Sequence, residues 1–97
     1  MTFIIHEDVL RHIMRRHGND LRKIIGIQRL EELRSIVEDV INNPSEAHQD
    51  IHNPSVRYYL RRLNDLWLNV VIQGNEVETA YIISTKSYNK FKTGRWM

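Results

Sequence analysis

Apolar positions along the first forty residues fall on helical faces. Val9, Leu10, Ile13, Met14 and His17 recur at the i, i+3, i+4 spacing and predict a helix over HEDVLRHIMRRHG, residues 6–18. Asp8 lies in its first turn and Arg15 and Arg16 in its last, which suits the helix dipole. Gly18 stands where such a helix ends. A second stripe starts near Gln28: Leu30, Leu33, Val37, Val40 and Ile41, with Glu31, Arg34, Glu38 and Asp39 mostly outside it. Asn42-Asn43-Pro44 stops it, since proline cannot continue a helix. The intervening LRKIIGI reads either as a helical turn or as a loop broken at Gly26.

From Ser45 the period changes. SEAHQDIHNPS is turn-rich with room for one short strand, and VRYYLRRL, LWLNVVIQ and EVETAYIIS follow. Asn64-Asp65 and Gly74-Asn75 separate these three runs, which predicts an antiparallel meander. The tail, TKSYNKFKTGRWM, suits a further strand or a crossing over the sheet. A two-residue turn at Gly74-Asn75 sets Ile72 opposite Val77, Val70 opposite Thr79 and Leu68 opposite Tyr81. One face then carries Leu66, Leu68, Val70, Ile72, Val77, Tyr81 and Ile83, and the two helices are its only available cover. The other face carries Trp67, Asn69, Val71, Glu78, Ala80, Ile82 and Ser84. A tight turn at Asn64-Asp65 adds Tyr58, Leu60 and Arg62 to it; a bulge there adds Arg57, Tyr59 and Arg61 instead. The expected fold is α+β, one domain over residues 1–97. Its helices span about 6–42 and a sheet of three to five strands about 47–97.

The composition narrows the chemistry. The chain has 97 residues, 41 % of them hydrophobic and 27 % charged, which fits one globular domain. No apolar run is long enough to span a membrane, and the acids and histidine by position 8 do not read as a secretory signal. With no cysteine, disulfides, thiolate catalysis and Cys-based zinc sites are excluded, and a reducing, cytoplasmic setting is expected. The net charge is +2, and ten of the fourteen basic residues are arginine. A planar guanidinium fork grips two phosphate oxygens at once. After Glu78 there is no acid at all, while Lys86, Lys90, Lys92 and Arg95 follow. That distribution fits either a solvated basic surface or a footprint for a polyanion.

Three groupings carry candidate chemistry. His17 ends the predicted first helix beside Arg16; it is either a helix-end cap or a general acid–base with a phosphate-holding neighbour. His6 and His12 compete for the same role. The strand RYYLRR sets Arg57, Arg61 and Arg62 beside Tyr58 and Tyr59, a pattern that holds phosphates and stacks bases. TAYIISTK places Thr79, Ser84 and Lys86 on and after a central strand, with donors for a scissile phosphate. Metal and cofactor chemistry fit poorly. His48 and His52 lie four apart on a Pro- and Asn-rich loop, no carboxylate pair has obvious ligand spacing around them, and there is no glycine-rich phosphate loop. Histidine, arginine and hydroxyl groups suit attack on RNA by its own 2′-OH, where the protein moves protons and stabilises a pentacoordinate phosphate.

The order Arg16-His17, Asn43-Pro44, Tyr58-Tyr59-Leu60-Arg61, Val70-Val71 and Thr79-Ala80-Tyr81 resembles the BECR nucleases, the group of barnase-like, EndoU-like, colicin-like and RelE-like folds, including small phage-associated members. The resemblance covers roughly residues 6–96 and rests on order and spacing. It implies a metal-independent endoribonuclease without cofactor, a toxin acting on tRNA or mRNA, with an acidic antitoxin or immunity protein as partner. By the same resemblance His17 is the acid or base, Arg61 holds phosphate, Thr79 lines the site, and Ser84 and Lys86 complete it. Arg16, Arg57, Tyr59, Arg62 and Arg95 are the expected RNA contacts. The alternative is a non-catalytic module that holds nucleic acid or a protein on the same basic sheet.

Overall fold

The computed structural model describes residues 3–97. Helix α1 runs from Glu7 to Ile25, straight through Gly18 and into the LRKII segment. A glycine inside a helix costs about 1 kcal/mol relative to alanine. Here the apolar stripe resumes beyond it at Leu21, which is fully buried, and that burial outweighs the cost. The true stop is Gly26, at φ 72°. Its N–H bonds the Arg22 carbonyl at 3.1 Å, and the Ile27 N–H reaches back to Leu21 at 3.2 Å, the pairing of a glycine-capped helix end. Helix α2 spans Leu30–Asn42. Glu32 caps its start by accepting the N–H groups of Gln28 and Arg29, both at 2.9 Å, and these bonds hold its carboxyl below the usual range.

Strands β1 (Glu46–Gln49), β2 (Val56–Leu63), β3 (Leu66–Gln73) and β4 (Glu76–Ser84) form an antiparallel sheet in the order β1-β2-β3-β4. The β2–β3 turn is tight, with Asn64 at φ 61°, so Leu63 faces Leu66 and Tyr58 faces Val71. Tyr58, Leu60 and Arg62 therefore share a face with Trp67, as the tight-turn register requires. In the β3–β4 hairpin Ile72 faces Val77 as expected, but Glu78 is then skipped, and Val71 faces Thr79. This bulge corrects the expected register: Val70 pairs with Ala80 and Leu68 with Ile82. A one-residue shift turns every later side chain to the other face. Tyr81 and Ile83 thus leave the face expected for them, and Ala80 and Ile82 take their place.

Two cores result. Leu10, Ile13 and Leu21 of α1 and Leu33, Val37 and Val40 of α2 pack on Leu68, Val70, Ile72, Val77 and Ala80. The opposite face holds Tyr58, Leu60, Trp67, Val71 and Ile83 with Tyr88 and Trp96. The tail supplies this second cover: helix α3, Thr85–Gly94, starts where the Ser84 hydroxyl accepts the Ser87 N–H at 3.1 Å. The sheet is thus sandwiched between α1–α2 and α3, and it ends at Ser84. Terminal segments shield parts of both edges. Ile4 bridges Glu76 on β4, and Trp96 bridges Asp50 just past β1. No helix among the described residues is long and apolar enough to cross a membrane.

Candidate nucleic-acid interface

The α1–β4 seam holds the first candidate group. His17 faces the sheet from α1 because it shares a stripe with Ile13 and Leu21. Its imidazole stacks on the Tyr81 ring, centroids 5.3 Å apart and planes 29° from parallel. Tyr81 packs with the second cluster on its other side. Burial lowers the His17 pKa, the Arg16 guanidinium lowers it further, and Asp20 opposes them. The ring is therefore neutral at pH 7 and half-exposed, the form in which imidazole accepts a proton. Thr79 lies two residues before Tyr81 on the same side of β4. Arg16 is exposed and, like Arg15, makes no ion pair or hydrogen bond among the described residues.

The other two histidines of α1 stand elsewhere. His6 lies at the helix start with Nε2 2.5 Å from Glu76, the first residue of β4. His12 is on another side of α1 and reaches His17 only through charge repulsion.

Arg61 does not join His17. It sits two strands away, about 9–10 Å across the sheet. Its Nη2 donates to the carbonyls of Asn43 at 2.8 Å and Asp39 at 3.3 Å, and its Nη1 pairs with the Asp39 carboxylate at 2.9 Å. These bonds close the C-terminal end of α2, where unpaired carbonyls attract a cation. Arg57 donates to the Gly74 carbonyl at 3.0 Å and lies over the Phe3 and Tyr59 rings. Tyr59 meets Phe3 edge-on and is half-buried on the helix side. Arg62 lies over Trp67 at 5.5 Å on the opposite face and bonds the Asn64 carbonyl. Arg95 pairs with Asp50 at 3.8 Å. Ser84 caps α3, with Lys86 exposed in the first turn. The predicted residues thus divide among three places: His17, Arg16 and Thr79 at the seam, Arg57, Tyr59 and Arg61 on the helix side, and Arg62, Ser84, Lys86 and Arg95 around α3.

A polar–aromatic group under α3 is one that sequence reasoning misses. Glu46 on β1 receives the Tyr88 hydroxyl and lies 2.8 Å from His48 Nε2. That nitrogen carries a proton, since an ionised carboxylate only accepts. His48 stacks on Trp96 at 4.5 Å and Tyr88 on Trp67 at 4.3 Å. Burial raises the Glu46 pKa, but the bonds from Tyr88 and His48 outweigh it and leave the group below its usual range. Asp50 works the same way: the Tyr58 hydroxyl donates to it at 2.7 Å and, with the His52 and Asn53 N–H groups, holds its pKa down. Both carboxylates have their oxygens occupied, and the arrangement pins the tail to β1. The one available signal was the i, i+2 placement of Glu46 and His48 on a short strand. Compared with family models, curated proteins and solved structures, the chain matches none.

Proposed function

We propose that the protein binds single-stranded RNA against α1 and cleaves it without a metal, the substrate's own 2′-OH acting as nucleophile. One observation supports this most: a half-exposed His17 stacked on Tyr81, its pKa lowered by burial, beside an exposed Arg16 that makes no ion pair or hydrogen bond among the described residues. In this reading His17 takes the 2′-OH proton as the oxygen attacks phosphorus. Arg16 neutralises the pentacoordinate phosphate. The P–O5′ bond breaks, the 5′ oxygen takes a proton from water, and a 2′,3′-cyclic phosphate remains. Thr79 offers a hydroxyl on the same strand as Tyr81. A base adjoining the cleaved bond stacks on the exposed edge of the His17–Tyr81 pair.

A second reading, binding without cleavage, draws support from Arg61 and Ser84, whose hydrogen bonds close α2 and α3 instead of facing His17. Incubating purified protein with labelled RNA in EDTA separates the two. Cleavage to 2′,3′-cyclic ends, lost in His17→Ala, is the expected result. RNA binding with the substrate intact would leave the binding module. Activity lost in chelator and restored by a divalent ion would sink the proposed mechanism.

A further inference from the structure

We propose that a second phosphate of the same RNA strand binds in a cleft on the far side of α1 from His17, between Arg15 and Arg22. The inference rests on the RNA-binding reading above and does not require cleavage. Arg15, Gly18, Asn19 and Arg22 follow at i, i+3, i+4 and i+7, so they share one face of the helix. The two arginines stand about 10 Å apart along the axis, seven residues at 1.5 Å each. Gly18 lies between them and leaves the floor open; a Cβ there meets nothing within 4 Å. The result is a cleft of about 520 Å³ that also takes in Arg16, Ile27 and Gln28.

The lining matches a nucleotide. It contains three guanidiniums and no carboxylate. Glu32, on the adjoining α2 start, is not part of the lining; its Oε1 accepts the Gln28 and Arg29 N–H groups. Asn19 Oδ1 accepts a bond from Arg22 Nη2 at 3.3 Å, which turns that guanidinium along the helix. Asn19 and Gln28 add amides able to bond base edges, beside the apolar Ile27 and Met14. An acidic peptide needs only the charges; a nucleotide uses the amides and apolar wall too. Arg16 touches both regions: it lines the cleft and sits next to His17 in the chain. A strand held in the cleft therefore crosses the helix at Arg16 and arrives at the His17–Tyr81 seam.

The test uses the full chain carrying His17→Ala, so that binding is read without cleavage, and a fluorescein-labelled ten-nucleotide single-stranded RNA followed by anisotropy. Adding Arg15→Gln and Arg22→Gln should weaken binding at least tenfold and lower the salt slope by about 1.4, two contacts at about 0.7 each. Lys90→Gln with Lys92→Gln makes the same charge change on α3 and should shift affinity less than twofold. Equal losses in the two double variants would mean that net charge alone is felt and would overturn the cleft. Displacement of the RNA by micromolar AMP, or by a polyglutamate peptide as readily as by unlabelled RNA, would overturn its assignment to a nucleic-acid strand. Cleavage by the otherwise native chain is scored separately. Binding lost at Arg15 and Arg22 with no cleavage detected rejects the catalytic reading alone. Cleavage with undiminished binding in that double variant rejects the cleft alone.

Discussion

Tyr88 and Glu46 lie 42 residues apart in the chain and are joined through one shared proton: the phenol hydroxyl stands 2.8 and 2.7 Å from the two carboxylate oxygens. This contact fastens α3 to β1 at the far edge of the sheet, while Trp67 of the interior strand β3 stacks flat on the same Tyr88 ring. Removing the hydroxyl alone keeps the stacking. Tyr88→Phe is therefore expected to cost about 1–2 kcal/mol, the range for a hydrogen bond to a partly exposed charged group. Urea unfolding should show a lower midpoint with an unchanged slope. A midpoint identical to that of the parent protein would mean the pair contributes nothing.

The same contacts set the pH range of the fold. Glu46 and Asp50 have folded pKa values below their ordinary ones, so the unfolded chain binds more protons near pH 4 and stability falls as pH falls through that region. On the alkaline side Tyr58 and Tyr88 are pushed up to about 12 by burial and by their carboxylate partners. An unfolded phenol ionises near 10. Their stabilisation is complete below pH 10 and is lost between about 10 and 12. Thermal melts across pH 3–11 should show a plateau at neutral pH and two declines. In Tyr88→Phe the alkaline decline should be smaller, and an unaltered alkaline limb would count against this account.

Two glycines behave oppositely. Gly18 lies inside α1 with open space around its missing Cβ, whereas Gly74 turns the β3–β4 hairpin at φ 63°. Gly18→Ala should stabilise the fold by up to about 1 kcal/mol, and Gly74→Ala should destabilise it by about 1–2 kcal/mol. Melting temperatures that move together would show that one of these backbone assignments is wrong.

These particulars show where sequence reading stops. The Asn64-Asp65 turn is legible in the sequence, which leaves two β2–β3 registers open, one for a tight turn and one for a bulge; the structure takes the tight turn, and alternation then sets every pair. The β4 register is not legible, since VETAYIIS alternates acceptably with or without the skip at Glu78. Helix α3 is obscured because TKSYNKFKTG offers only Tyr88 and Phe91 as an apolar stripe and packs on Trp67, far away in the chain, and on Trp96 just past its end. At the candidate site His17 and Arg16 are readable as neighbours on a helix. The Tyr81 ring against His17 is not, because the same bulge decides which way Tyr81 points. Arg61 reads as a phosphate ligand from its strand; its capture by the end of α2 depends on helix packing that no local pattern encodes.

That capture gives Arg61 its own expected phenotype. Arg61→Ala removes two carbonyl bonds and an ion pair with Asp39 from a side chain that is 24 % exposed. The expected loss is about 1–2 kcal/mol of stability. Any RNA cleavage per folded molecule should stay within about threefold of the parent. A hundredfold loss of specific activity in a variant that melts normally would return Arg61 to the reaction.

His17 is expected to behave in the opposite way. It reaches the seam from α1, lies against Tyr81 and is kept neutral by burial and by Arg16. Loss of a general base costs about 10²–10⁴ in rate, equivalent to about 3–5 kcal/mol of barrier. His17→Ala should therefore abolish cleavage, and growth arrest where expression of the parent causes it, while lowering stability by no more than about 1–2 kcal/mol through the lost stacking. The pH profile supplies an independent check. Because the folded pKa lies below the ordinary value of 6.5, kcat/KM should hold through neutral pH and fall only as acid protonates the ring below that value. Stability should decline over the same interval, since the unfolded chain takes up that proton more readily. Removing the second cation tests the cause. In Arg16→Gln the acid limb should move toward higher pH, because a positive neighbour no longer opposes protonation. A limb that stays in place in Arg16→Gln, or activity in His17→Ala that simply tracks the folded fraction, would make His17 a packing residue and move the search for the base to His6 or His12.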